Sequence, residues 1–188
     1  MMRAVILAAV SLLFATDAPA RQHAIDTKQS TLTIHVGKAG ALSAFGHEHG
    51  IRGTIDSGRA ETGAHPAVEV HVDARTLRVI DKDASEKERA AVQTTMLGPE
   101  VLDSKRFKDI LFKSTSAESA GEGKWILHGD LTMRGKTRPV NVRVQLKDGR
   151  YTGEAVVKQT DFGIKPPGKA GVRAKNEVRI EFDVRLAR

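Results

Sequence analysis

A chain of 188 residues can bury a core without covalent staples, and this one has no cysteine. That excludes disulfides, thiolate metal centres, cysteine nucleophiles and a lipid anchor through an N-terminal Cys. Lys and Arg number 30 against 23 Asp and Glu, a net charge of +7, but aromatics are only 4% and no basic run interleaves with them, so a stacking platform for nucleic acid is not expected.

Met1-Met2-Arg3 gives a short positive start, residues 4–15 are uncharged and mostly apolar, and Ala18-Pro19-Ala20 places small residues at the positions a signal peptidase inspects. The apolar stretch is shorter than the ~20 residues of a spanning helix. The pattern predicts a signal peptide over 1–20, cleaved after Ala20, and a single domain over 21–188. Export without disulfides fits the bacterial periplasm.

The domain reads as strands. After an expected strand at 32–36, the segment SAFGHEHG at 43–50 carries His47 and His49, which point to one side if the backbone is extended. A strand at 50–55 follows, and then Ala67–Asp73, where Val68, Val70 and Val72 alternate with polar residues. Ser85 and Glu88 have capping-box spacing ahead of an apolar-containing run that Gly98-Pro99 stops; Ala90, Ala91, Thr94 and Leu97 are the expected apolar face of that helix. Strands at 110–115 and 125–133 lead to an Arg134-Gly135 turn. Val140, Val142, Val144 and Leu146 alternate in the next strand, and Asp148-Gly149 is a hairpin signal into a strand at 151–160 containing Ala155 and Val157. The final strand is the most regular: Val178, Ile180, Phe182, Val184 and Leu186 face one way, charged residues the other.

About eight strands, mostly at hairpin spacing, predict an all-β sandwich or barrel with one accessory helix. An eight-stranded barrel has room for side chains or for one small ligand. The inward residues are medium and small aliphatics with few rings. Cores and apolar pockets are lined by the same residue types, so periodicity leaves a packed core and an apolar tunnel equally open.

The ordered motifs resemble the YceI-like family of bacterial envelope proteins over nearly all of residues 21–188. They are Ala24-Ile25-Asp26 followed by STLTI at 30–34, LGPEVLDSKRFKDILFKST at 97–115, GDLTMRGKTRPV at 129–140, DFGI at 161–164 and NEVRI at 176–180. The resemblance implies an eight-stranded, lipocalin-like antiparallel β-barrel with a helix beside it. It also implies a polyisoprenoid or similar long apolar amphiphile, such as an isoprenoid quinone, in the lumen, with no cofactor required and no catalytic motif to carry over. The histidines at 47 and 49 and the short basic segment after Ile164 depart from the family pattern.

The lumen and the expected mouth nominate Phe45, His47, His49, Phe112, Trp125, Leu131, Val142, Phe162 and Phe182 as ligand-binding residues. His47 and His49 suit a metal ion, with His35 or His128 as a third ligand, or a ligand's polar head, or neither; an H-x-H pair is weaker than a complete zinc signature. Ser43 beside His47 lacks a nucleophile elbow, and no glycine-rich phosphate loop appears, so a binding protein rather than an enzyme is expected. The segment with Lys165, Lys169, Arg173 and Lys175 reads either as a barrel rim meeting anionic headgroups or as a solvated loop. An adaptor using the barrel exterior, and a homodimer, remain open.

Overall fold

The computed structural model describes residues 21–40, 48–63, 65–169 and 171–187; the expected signal peptide over 1–20, Phe45 and His47 lie outside them. The strands are β1 (Arg21–Ala24), β2 (Thr31–Ala39), β3 (His49–Gly53), β4 (Ser57–Thr62), β5 (Ala67–Asp73), β6 (Arg78–Val79), β7 (Asp109–Ser119), β8 (Lys124–Met133), β9 (Lys136–Lys147), β10 (Arg150–Lys158), β11 (Gly168–Lys169) and β12 (Val172–Val184). Helix α1 spans Glu86–Leu97. All twelve strands belong to one sheet, in the order β1-β4-β5-β7-β8-β9-β10-β12-β2-β3-β6 with β11 paired to β12, and every pairing is antiparallel.

The sheet curls. Ile25, just past β1, bridges Leu186, just past β12; Asp26 N–H donates to the Arg185 carbonyl at 2.8 Å and Ala187 N–H to the Ala24 carbonyl at 2.8 Å. One end of the strand order therefore meets the tail of β12.

Twelve strands stand where about eight were expected from hairpin spacing. The first is interrupted by a turn in which the Asp26 carboxylate accepts from Lys28 N–H and Gln29 N–H, each at 3.1 Å. β4 reads SGRAET and has no large apolar alternation, because its inward positions are small: a Cβ on Gly58 would lie 2.6 Å from Ile25 Cδ1. The two-residue turns match their sequence chemistry, with Arg134 and Gly135 at φ 52° and 68° and Asp148 and Gly149 at φ 51° and 74°.

Period-two alternation holds on the curled inner face. Val72, Leu127, Leu131, Val140, Val142, Ala155, Val157 and Val178 are buried in one cluster, and Ile25, Ile55 and Val184 form a second. Leu146 departs from the expectation: it is 36% exposed, at the end of β9 beside the hairpin turn. Two inner glycines make room for rings. Phe112 lies against Gly129, and Phe182 against Gly153, its register partner. A Cβ on Gly153 would sit 1.9 Å from the Arg143 carbonyl oxygen and 2.5 Å from Phe182 Cζ. Gly153→Ala is therefore expected to cost about 1–3 kcal/mol, read as a lower denaturant midpoint at unchanged slope.

Strand directions sort the molecule into two ends. The β4–β5, β7–β8 and β9–β10 connections lie at one; α1, the β8–β9 turn and the 3-10 turn Gln159–Phe162 lie at the other. At this second, far end Ser85 and Glu88 form the expected capping box. The expected apolar face of α1 is corrected in part: Ala90, Ala91 and Thr94 are exposed, while Leu97 packs on the core beside the buried Met96, and Gln93 reaches the strand edge. The reason is that α1 covers the short edge strand β6 and must satisfy its backbone. Gln93 Oε1 accepts from Val79 N–H at 2.9 Å, and its Nε2 donates to the Leu77 carbonyl at 2.8 Å. Arg134 ties the far end together, donating to the carbonyls of Gly163 and Pro99.

Candidate functional site

Inside the curl is a cavity of about 240 Å³. Its deeper wall is aliphatic and aromatic: Val72, Ile110, Leu131, Val140 and Val157. Its outer part reaches the β4–β5 connection, where Glu61, Thr62, Gly63 and Pro66 border it across from Trp125, Val144 and Tyr151. Exposure follows the same gradient, from buried Leu127 and Leu131 to half-buried Trp125 and exposed Glu61 and Gly63. The cavity thus opens at the hairpin end. Below it Met96, Leu102, Phe162 and Ile164 fill the far end, with Phe162 only 1% exposed.

The polar residues bordering it are Glu61, whose position on β4 belongs to the outer face, Thr62 and Tyr151; no Lys, Arg or His lines it among the described residues. Burial raises the Tyr151 phenol above its ordinary value, so it stays a neutral hydroxyl across the physiological range. Such a wall rewards contact with hydrocarbon and gives an anionic head group no counter-charge.

Phe112, Trp125, Leu131, Val142 and Phe182 lie side by side on this wall. Their parity puts them there: Trp125 and Leu131 share the inner face of β8, and Val142 opposes Leu127 across β8 and β9. Phe162 does not line the cavity; the 3-10 turn folds it beneath the lumen as a floor. The residues that strand reading missed are those of the mouth, Ala60, Thr62, Gly63 and Pro66 among them, whose small and polar character carries no strand signal.

His49 is also displaced from the expected mouth. It begins β3 at the far end, where its Nδ1 lies 2.6 Å from the buried Asp81 carboxylate, whose other oxygen accepts from Gly50 N–H at 2.6 Å. Those bonds pin the end of β3 to the segment leading into α1, and no cluster of three metal-ligating side chains occurs among the described residues. The other two histidines considered as third ligands are on the outer face: His35 pairs with Glu181 at 2.9 Å, and His128 meets Asn141 at 2.8 Å.

A different histidine is electrostatically set apart. His71, on the outer face of β5, lies between Asp109 (Nε2 at 2.9 Å) and Asp56 (Nδ1 at 3.1 Å). The bond to Asp109, and then that to Asp56, raise its pKa against the opposing effect of burial. A raised folded pKa adds stability that is complete below the unfolded value of about 6.5 and fades as pH rises through the folded value. The melting-temperature gap between the parent and His71→Gln should therefore be wider at pH 6 than at pH 8.5; an equal gap at both would show that the imidazolium contributes nothing.

The chain is thus an all-β fold, a curled antiparallel sheet around an apolar cavity with one helix at its far end. The chain belongs to the YceI-like domain family, whose model matches residues 23–186. It is 28% identical over 171 residues to a UPF0312 protein of Shewanella sp. (strain W3-18-1), covering 85% of each chain. It is 27% identical over 184 residues to a UPF0312 protein of Pseudomonas putida, covering 91% of each. Among solved structures, Burkholderia cenocepacia BcnA superposes with a TM-score of 0.60 at 18% identity, over 87% of this chain and 99% of that one. A polyisoprenoid binding domain from Saccharophagus degradans, implicated in plant cell wall breakdown, superposes with a TM-score of 0.52 at 10% identity, over 86% and 95%. At these identities the likeness is one of fold.

Proposed function

We propose that this protein is an exported, periplasmic binding or carrier protein that holds a polyisoprenoid or similar long apolar amphiphile in the cavity. The observation that carries the reading is the one-ended apolar lumen, walled by Phe112, Trp125, Leu131, Val142 and Phe182 and floored by Phe162. Its volume of about 240 Å³ is below that of pockets for drug-sized molecules, ~300–1,000 Å³. A slim branched chain suits it better than a bulky ring system. The tail enters and the polar end stays at the mouth, where Thr62 and the Tyr151 hydroxyl are the hydrogen-bonding side chains.

The proposed barrel has eight staves: β1 with β2, β3 with β4, then β5, β7, β8, β9, β10 and β12, closed where β12 and its tail run beside β2 and β1. Such closure leaves only short edges and makes a lumen of fixed bore. Binding, not catalysis, is the proposed activity, because the lumen presents no nucleophile–base pair.

The test is extraction of gently purified protein into organic solvent, followed by mass spectrometry. A long apolar lipid, at close to one molecule per chain, is the expected result. Protein that yields none and takes up none from mixed lipid micelles would overturn the reading.

A further inference from the structure

The net positive charge gathers in part around a second concavity, at the far end and outside the barrel. This cleft, of about 540 Å³, lies between the end of β10, the 3-10 turn after it and the first half of β12. Three cations line it, Lys158, Arg173 and Lys175, against one carboxylate, Glu177. Lys158 is the register partner of Glu177, yet no ion pair joins them, and none of the three cations has a charged partner among the described residues.

A solvated basic face would leave such side chains to wander; here the backbone and one stem are fixed. The register of β12 against β2 shifts between Ala174 and Val178, so the strand bulges where the cleft forms. Side chains lock the bulge. Gln159 Nε2 donates to the Lys175 carbonyl at 2.7 Å, Asn176 Oδ1 accepts from Thr160 N–H at 3.0 Å, and Asn176 Nδ2 donates to the Thr160 hydroxyl at 3.0 Å. The Lys175 stem lies across Gly37, with Cδ 2.9 Å from where a Cβ would stand, so the missing side chain on β2 is the slot for the lysine. Arg173 is held beside β11, its register partner being Gly168.

We propose that this cleft binds a phosphate-type oxyanion, on the outer surface at the opposite end from the apolar cavity. A guanidinium and two ammoniums supply donors and charge for a tetrahedral oxyanion, and their mutual repulsion in the empty cleft is relieved when it binds. The bound group is either a free phosphate or diphosphate or the phosphate of a lipid headgroup; both present the same chemistry. The apolar cavity plays no part in the inference, which stands whether or not the lumen carries a lipid.

The experiment titrates the full domain with inorganic phosphate and pyrophosphate at low ionic strength, by calorimetry, and measures sedimentation with phosphatidylglycerol vesicles against phosphatidylcholine ones. Two triple variants are compared: Lys158→Ala with Arg173→Ala and Lys175→Ala, and a charge-matched control at the mouth end, Lys124→Ala with Lys147→Ala and Arg21→Ala. Saturable pyrophosphate binding that falls at least tenfold in the first and is kept in the control supports the site. Binding confined to vesicles, with the same dependence, assigns the phosphate to a headgroup. Gly37→Ala, which leaves the charge unchanged, should also weaken binding by displacing the Lys175 stem. No saturable binding to any of the three probes, or equal losses in both triple variants, would overturn the proposal.

Discussion

Under the proposed function, Ala155→Trp should empty the cavity of lipid, whereas Val156→Trp, one residue further on, should leave it loaded. Ala155 is 8% exposed and lines the cavity between Val142 on β9 and Ile180 on β12, its register partners. Val156 points outward and is 53% exposed. An indole at 155 occupies much of a cavity of about 240 Å³. The expected result is at least a ~10-fold fall in lipid recovered per protein, equivalent to about 1.4 kcal/mol of affinity. The ring enters a void, so the usual overpacking cost of about 1–3 kcal/mol is partly offset by new contacts, and a cooperative melt should survive. The pair separates site from surface: equal lipid loss in both variants would show that the hydrocarbon is bound elsewhere.

The sharpness of that contrast comes from parity, the part of the structure most legible in the sequence. In β5, β9 and β12 large aliphatics alternate with polar or charged residues, so which side chains point inward follows from spacing alone. Phe112, Trp125, Leu131, Val142 and Phe182 could be placed on the inner wall for the same reason. Legibility fails where the inner face is built from small residues. β4 packs Gly58 and Ala60 inward, and its charged outer residues left no apolar rhythm. With β4 unseen, the β4–β5 connection and hence the mouth could not be located.

Which end of a barrel a residue occupies depends on strand direction and pairing, and local pattern does not encode these. His49 reads as a mouth residue through its pairing with His47 in a segment that departs from the family pattern. Its position is set by Asp81, 32 residues away. Lys165 and Arg173 suit either a rim meeting headgroups or a solvated loop by composition; the strand directions put them at the far end, away from the cavity mouth. The α1 face failed in part, for a related reason. A helix covering a strand edge needs a backbone mimic such as Gln93, which apolar periodicity cannot see; of the expected stripe Leu97 packs on the core, while Ala90, Ala91 and Thr94 face solvent.

Phe162→Ala should be the most destabilising single truncation in the chain. At 1% exposure Phe162 is the largest fully buried side chain, and it sits with Ile164, Met96 and Leu102 between the lumen and the far end. The 3-10 turn that presents it is fixed by Gly163 in the left-handed region, φ 74°, with Gly163 N–H donating to the Thr160 carbonyl at 3.0 Å and Ile164 N–H to the Gln159 carbonyl at 3.1 Å. A turn held at both ends cannot collapse to close the void. The loss should therefore approach the full cost of a buried Phe→Ala change, about 3–5 kcal/mol, or a fall in Tm of roughly 10 °C for a domain of this size. Phe162→Leu keeps most of the volume and should lose less than half as much. The two variants also probe function, because a floor is needed for a one-ended cavity. In Phe162→Ala the lumen and the new void become continuous, and protein purified at low temperature should retain bound hydrocarbon but release it faster to acceptor vesicles. A loss of stability under about 1 kcal/mol would mean that the far end repacks around the missing ring, and that the rigid floor inferred from the burial of Phe162 does not exist.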